Sequence, residues 1–202
     1  MAQDIWDLNG HAFRVFHWGN PARPPLVMLH GFPEFGGAWR DLAEHLSDRF
    51  FCVAPDQRGF GQSYAPPEVT DYALGPLVGD MSALINRLGG RATVLGHDWG
   101  AAVAYGLAMF SPDRVDRLVV ANGVHPVPFQ TALAAQGAQA EASQYIHNLR
   151  EKGAGAGLAE NDFAKLLTLF TAHMDLSWLA GPRLLDYKAA WGDAARLERM
   201  LN

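Results

Sequence analysis

An aspartate stands at the centre of the run Thr93-Val94-Leu95-Gly96-His97-Asp98-Trp99-Gly100-Ala101-Ala102. The residues two before and two after it are glycines, a β-like run precedes it and an Ala-rich stretch follows. That spacing suits a tight strand-to-helix turn, which projects its central side chain only if the flanking positions are small. It also suits an ordinary strand–helix turn with Asp98 as a helix N-cap. A carboxylate in the first setting is a nucleophile for saturated carbon. Attack on an ester would make an anhydride, whereas displacing an epoxide oxygen or a halide from an sp³ carbon makes an ordinary ester. Water activated by a general base can then hydrolyse that ester. The two leaving groups have different needs. Halide departs as a stable anion and requires only N–H donors, such as the indole of Trp99. An epoxide oxygen departs as a basic alkoxide and requires a proton donor, typically a phenol.

Two further loops carry candidate chemistry. Leu29-His30-Gly31-Phe32-Pro33-Glu34 directly follows a short apolar run, and its glycine permits a sharp turn. Ala54-Pro55-Asp56-Gln57-Arg58-Gly59-Phe60-Gly61-Gln62-Ser63 is a Gly-rich turn after the next such run, expected to be structural and to hold the sheet's edge.

These loops need elements to position them. Ile5–Leu8 and Ala12–Phe16 flank Asn9-Gly10, the two-residue signal for a β-hairpin. Continuous apolar runs at Pro25–Leu29, Phe50–Ala54, Ala92–Leu95 and Arg117–Ala121 read as strands buried on both faces. Between them the pattern predicts helices over Ala38–Leu46, Leu77–Leu88 and Ala101–Phe110. Strands alternating with helices make the fold class α/β, a mostly parallel sheet flanked by helices. After Val124-His125-Pro126-Val127-Pro128 no further β-run occurs. Thr131–Arg150, Glu160–His173 and Pro182–Leu201 read as three helices, and Gly153-Ala154-Gly155-Ala156-Gly157 as a flexible loop. The expected organisation is a core over residues 1–125 and an all-helical, incomplete cap over 126–202. The Arg117–Ala121 strand is expected to leave an apolar edge exposed.

The three loops together resemble the α/β-hydrolase superfamily, from about Pro24 to the end of the chain. His30-Gly31-Phe32-Pro33-Glu34 paired with Gly96-His97-Asp98-Trp99-Gly100 is most similar to its epoxide-hydrolase branch. Haloalkane dehalogenases share the Asp and the adjoining Trp but usually have Asn where Phe32 stands. Fluoroacetate dehalogenases share His-Gly-Phe-Pro but tend to have Arg where Trp99 stands. The resemblance implies Asp98 as nucleophile and an oxyanion hole made by the backbone N–H groups of Phe32 and Trp99. His30, Gly31, Pro33, Gly96, His97 and Gly100 are implied as motif support. Ser143-Gln144-Tyr145 resembles the family's cap tyrosine, which makes Tyr145 the candidate acid; packing on an amphipathic helix is the plainer role for such a residue. Tyr187 is a weaker candidate, and Tyr105 is expected in the core.

The resemblance also implies a histidine base oriented by an acid on loops after later strands. None of the 8 histidines follows a late strand. His97 is expected to turn away from the reactive side of Asp98, His125 to be structural at the cap entrance, and His147 and His173 to face solvent. In relatives a second cap tyrosine follows a Leu-Asn-Trp-Tyr-Arg stretch, and this chain ends at Leu201-Asn202. The chain therefore reads as the N-terminal part of a longer hydrolase. Three functions remain open: an epoxide hydrolase, a haloalkane or haloacid dehalogenase with the same nucleophile, and a non-catalytic fragment that keeps the fold.

Composition narrows the classes further. The 202 residues are 49% hydrophobic and 11% aromatic, enough for a packed core and against disorder. With 16 Lys+Arg against 21 Asp+Glu, a net charge of −5 leaves no basic stripe for nucleic acid. A single cysteine, Cys52, excludes an internal disulfide and a thiolate metal cluster, and no metal or cofactor is expected. No apolar run reaches the roughly 20 residues of a membrane span. The start has neither a basic nor an apolar leader region. A cytoplasmic protein acting on a small hydrophobic substrate and water is the expectation.

Overall fold

The computed structural model describes residues 1–171, 175 and 177–202; His173 lies outside the described residues. Strands β1 (Ala2–Leu8) and β2 (His11–Trp18) form the expected hairpin. Its turn residues Asn9 and Gly10 both have positive φ, +56° and +82°, the twist that a two-residue hairpin needs. Then come β3 (Pro25–Leu29), α1 (Arg40–Leu46), β4 (Phe51–Pro55), α2 (Leu74–Arg87), β5 (Ala92–His97), α3 (Trp99–Phe110) and β6 (Val115–Ala121). The sheet order is β1-β2-β4-β3-β5-β6. β4, β3, β5 and β6 run parallel, and β2 joins β4 antiparallel.

The strands divide their side chains between two faces by simple alternation. On β3, Val27 and Leu29 join Leu8, Phe13 and Val53 under Met81, Leu84 and Ile85 of α2 and Val103 and Leu107 of α3. Leu26 and Met28 face the other way, with Phe16, Trp18 and Cys52. That second face is covered by Ala43 of α1 and by residues of the C-terminal helices, among them Leu158, Leu166, Tyr187, Trp191 and Leu197. The helical region thus shares one apolar cluster with the sheet. β6 pairs only with β5 among the described residues, and its Val119 is 47% exposed, so the apolar edge is there.

The C-terminal helices are α4 (Pro126–Ala134), α5 (Ala138–Ala142), α6 (Gln144–Leu149), α7 (Ala154–Thr171), α8 (Gly181–Trp191) and α9 (Ala194–Met200). The single helix expected over Thr131–Arg150 is three short ones, broken where Gln136 takes φ +53° beside Gly137 and again at Ser143. The helix expected over Pro182–Leu201 breaks at Gly192, with φ +69°, and restarts when the Asp193 carboxylate accepts the Arg196 N–H at 2.8 Å.

The Gly153–Gly157 segment is the opposite of a loose loop: it opens α7. Glu198 accepts the N–H groups of Gly153 and Gly155, both at 2.9 Å, satisfying donors that a helix start leaves free. A Cβ on Gly155 would stand 2.4 Å from the Glu198 nitrogen, so the glycines let α7 and α9 touch. Within α7, Asn161, Asp162 and Phe163 all have positive φ and turn the helix sharply. No helix among the described residues is long and apolar enough to cross a membrane.

The Asp56 loop is structural, as expected, but it anchors the sheet interior rather than an edge, because β4 lies between β2 and β3. The fully buried Asp56 carboxylate accepts Arg14 Nε at 2.6 Å, the Gly36 N–H at 2.8 Å and the Gln62 N–H at 3.2 Å. Arg58 forms a two-pronged pair with the buried Asp80, both bonds at 2.8 Å.

Candidate active site

Asp98 sits between β5 and α3 with φ +53° and ψ −122°, a conformation that a non-glycine residue adopts only under constraint. The constraint is steric. A Cβ on Gly96 would lie 2.5 Å from the Gly100 oxygen, and one on Gly100 would lie 2.2 Å from the Leu29 oxygen. Small residues at both positions let the turn close and α3 lie against β3 and β5. Asp98 is therefore a projected side chain: its carboxylate accepts no N-cap hydrogen bond from α3.

The second loop meets it there. Phe32 N–H donates to Asp98 Oδ1 at 3.0 Å. A Cβ on Gly31 would fall 2.3 Å from both Asp98 Oδ1 and Asp98 Cβ, which is the reason for glycine there. Residues 31–34 form a turn closed by Glu34 N–H to Gly31 O at 3.0 Å, with a cis peptide between Phe32 and the buried Pro33. His30 lies beneath, fully buried. Its Nε2 accepts the Gln57 N–H at 3.1 Å, so the ring proton is on Nδ1, which donates to Gly31 O at 3.0 Å. Burial lowers the His30 pKa and keeps the ring neutral. Trp99 is the first residue of α3, so its main-chain N–H has no acceptor within the helix; its side chain is 54% exposed.

His97 turns its Nδ1 to Glu34 Oε2 at 3.1 Å and packs edge-on against Trp39. Glu34 raises the His97 pKa first by that hydrogen bond, and the charges of Glu34 and Asp98 add to it. His97 and Asp98 are thus electrostatically linked, although the ring is occupied by Glu34.

Tyr145 on α6 is half-exposed, and its pKa is raised by partial desolvation and then by the Asp98 charge. Its phenol accordingly keeps its proton at neutral pH. Tyr187 is a core residue instead, packed on Phe35, Phe170, Trp178 and Trp191. Tyr105, expected in the core, is only half-buried and packs edge-on against His125. His125 caps α4 through its Nδ1, which accepts the Val127 N–H at 3.2 Å. His147 is exposed.

The structure adds partners that no sequence pattern singled out. Glu34 belongs to the motif yet had no assigned role; it holds His97 and raises the Tyr187 pKa after burial has done so. Trp191 on α8 donates its indole N–H to the Pro33 oxygen at 2.6 Å. Arg40 and Asp41 on α1 pair crosswise with Asp186 and Arg183 on α8. The contacts to α8 join residues some 140–160 positions apart, which local spacing does not reveal.

The fold and this site define an α/β-hydrolase: residues 24–157 match the family model of the alpha/beta hydrolase fold, and the chain belongs to that family. Within it the similarity runs to the epoxide-hydrolase branch, whose named members are enzymes. The AB hydrolase superfamily protein YfhM of Bacillus subtilis is 33% identical over 197 residues, 96% of this chain and 69% of that protein. Epoxide hydrolase 1 of Caenorhabditis elegans is 34% identical over 75% of this chain, a region spanning only 38% of the relative. A solved epoxide hydrolase from metagenomes of hot environments superposes with a TM-score of 0.87 at 37% identity, covering 99% of this chain and 68% of that one. The inhibitor complex of Bacillus megaterium epoxide hydrolase gives 0.88 at 27% identity, covering 98% and 71%.

Proposed function

We propose that Asp98 opens an epoxide through a covalent ester. Its free carboxylate oxygen attacks the epoxide carbon, the carbon–oxygen bond breaks, and the departing oxygen takes the proton of the Tyr145 phenol. The main-chain N–H groups of Phe32 and Trp99 hold the carboxylate in the attack and the oxyanion of the ester when water adds to it. The observation that carries this function is the strained Asp98 held by Phe32 N–H at 3.0 Å. A carboxylate so oriented keeps one oxygen aimed and the other free. The epoxide hydrolases among the similar proteins support the same choice of substrate.

Residues 1–125 act as the core and 126–202 as the cap, and the substrate is a small hydrophobic epoxide with water as the second reactant. The protein is assigned to the cytoplasm. Hydrolysis of the ester needs a base that activates water; the step assigned to the residues named here is ester formation. A dehalogenase is the second candidate, since the same attack on a haloalkane releases halide without a proton donor, and the half-exposed Trp99 indole is an N–H donor beside Asp98.

Intact-mass measurement after incubation with styrene oxide and with a bromoalkane tests this function. A one-equivalent adduct from styrene oxide, absent in Asp98→Asn, is expected. An adduct that persists in Asp98→Asn overturns the role of Asp98, and an adduct from the bromoalkane alone selects the dehalogenase.

A further inference from the structure

We infer that Trp191 is a positioning residue for the turn that aims the Phe32 N–H at Asp98, an inference that rests on Asp98 being the nucleophile. Trp191 is fully buried on α8, and its indole N–H reaches the Pro33 oxygen at 2.6 Å. The turn at 31–34 is thereby tethered from two sides. From below, the His30 ring and Glu34 N–H hold the Gly31 oxygen. From the cap side, Trp191 holds Pro33, a residue with no N–H, whose carbonyl is its one hydrogen-bonding group. Phe32 N–H lies between the two tethers.

The indole has little freedom to give. Tyr187 packs against it at 6.0 Å between ring centroids and Phe163 at 5.3 Å, both steeply inclined. A donor fixed in this way orients the turn before substrate arrives, and the accuracy of such a donor governs how well it meets developing charge. The indole touches no reacting atom, so its effect passes entirely through the turn. It also makes the cap a structural member of the site: α8 bears on the same turn through Tyr187 and Glu34.

The test uses two replacements in the full 202-residue chain. Trp191→Phe keeps an aromatic ring without the donor. Benzothienylalanine at position 191 keeps the indole shape with sulfur in place of N–H, and decides the matter if Trp191→Phe does not fold. Amide exchange by NMR and the rate of Asp98 ester formation with saturating styrene oxide are measured. Exchange at Phe32 is expected to be about tenfold faster while α3 keeps its protection. Ester formation is expected to be roughly 10–100-fold slower, with the half-saturating concentration within about twofold of the parent. Unchanged Phe32 exchange in the isostere overturns the inference, as does loss of protection spread evenly through α2 and α3. If the parent chain forms no ester, the nucleophile assignment fails by itself, and Phe32 exchange still decides whether Trp191 positions the turn.

Discussion

Phe32 and Asp98 are 66 residues apart in the chain, yet a main-chain N–H of the first donates to Oδ1 of the second at 3.0 Å. The bond joins the loop after β3 to the turn after β5. Those strands are neighbours in the sheet, in register from Leu26 with Thr93 to Leu29 with Gly96, so both loops leave the same edge side by side. Parallel pairing delivers the donor and the carboxylate to one place, in the crevice beyond the strand ends where open α/β sheets bind ligands.

The glycines of the two loops divide into those that serve the site and those that serve the fold. Gly31→Ala forces its new Cβ to within 2.3 Å of Asp98 Oδ1 unless the loop moves. Ester formation should fall by about 100-fold or more, with the melting temperature little changed. Gly100→Ala presses instead on the Leu29 and His30 carbonyls, at 2.2 and 2.5 Å. It should destabilise the protein by about 1–3 kcal/mol in a urea titration.

Tyr145→Phe separates the two leaving-group chemistries. Without the phenol proton, ester formation from an epoxide should slow by about 10²–10⁴-fold. Ester formation from a bromoalkane should not change, because halide needs no proton. Both rates are read from adduct build-up by mass spectrometry, and equal effects on the two substrates would remove Tyr145 from the role of acid.

The two loop histidines should shift stability with pH in opposite directions. Glu34 raises the His97 pKa above its ordinary 6.5, so the folded state favours the protonated ring. That contribution is complete below about 6.5 and is lost as pH rises through the raised value. Burial lowers the His30 pKa, so its contribution is present above about 6.5 and is lost as pH falls from there towards the lowered value. NMR titration of the ring protons checks both signs, and Glu34→Gln should return His97 towards 6.5 while leaving His30 low.

Asp56 is a residue whose loss should be costly in stability. It is fully buried, and Arg14 beside it is nearly so, with side-chain exposures of 0% and 11%. Asp56→Ala leaves that guanidinium and the Gly36 N–H without their acceptor. Removing one partner of a buried ion pair typically costs about 3–5 kcal/mol. Urea unfolding of the variant measures it, and a loss below about 1 kcal/mol would contradict the burial of the pair.

Cys52 should be silent towards thiol reagents in the folded protein. It is fully buried on β4, and burial pushes its thiol up to about 11. At pH 8 modification should follow unfolding, speeding sharply across the urea transition rather than below it.

Much of the architecture was legible in one dimension because it rests on local pattern. Runs such as Pro25–Leu29 are apolar throughout because both faces of the sheet are covered, and Asn9-Gly10 is what a tight hairpin turn demands. The elbow at Asp98 was legible for the same reason, since its steric rule acts over two residues on either side. The helical region is less legible. Gly153–Gly157 has the composition of a flexible loop, but contact with Glu198, more than 40 residues later, makes it the start of α7. Likewise nothing local distinguishes Trp191 from the other five tryptophans.

By itself the sequence determined the α/β class, the positions of both loops and the chemistry that an aspartate at such a turn can perform. All of these follow from residue type and short-range spacing. Only the tertiary structure decided which groups meet: Phe32 with Asp98, Glu34 with His97, Trp191 with Pro33. Each of those bonds exists because two distant segments are packed against the same sheet end, and packing over such separations leaves no periodic trace in the chain.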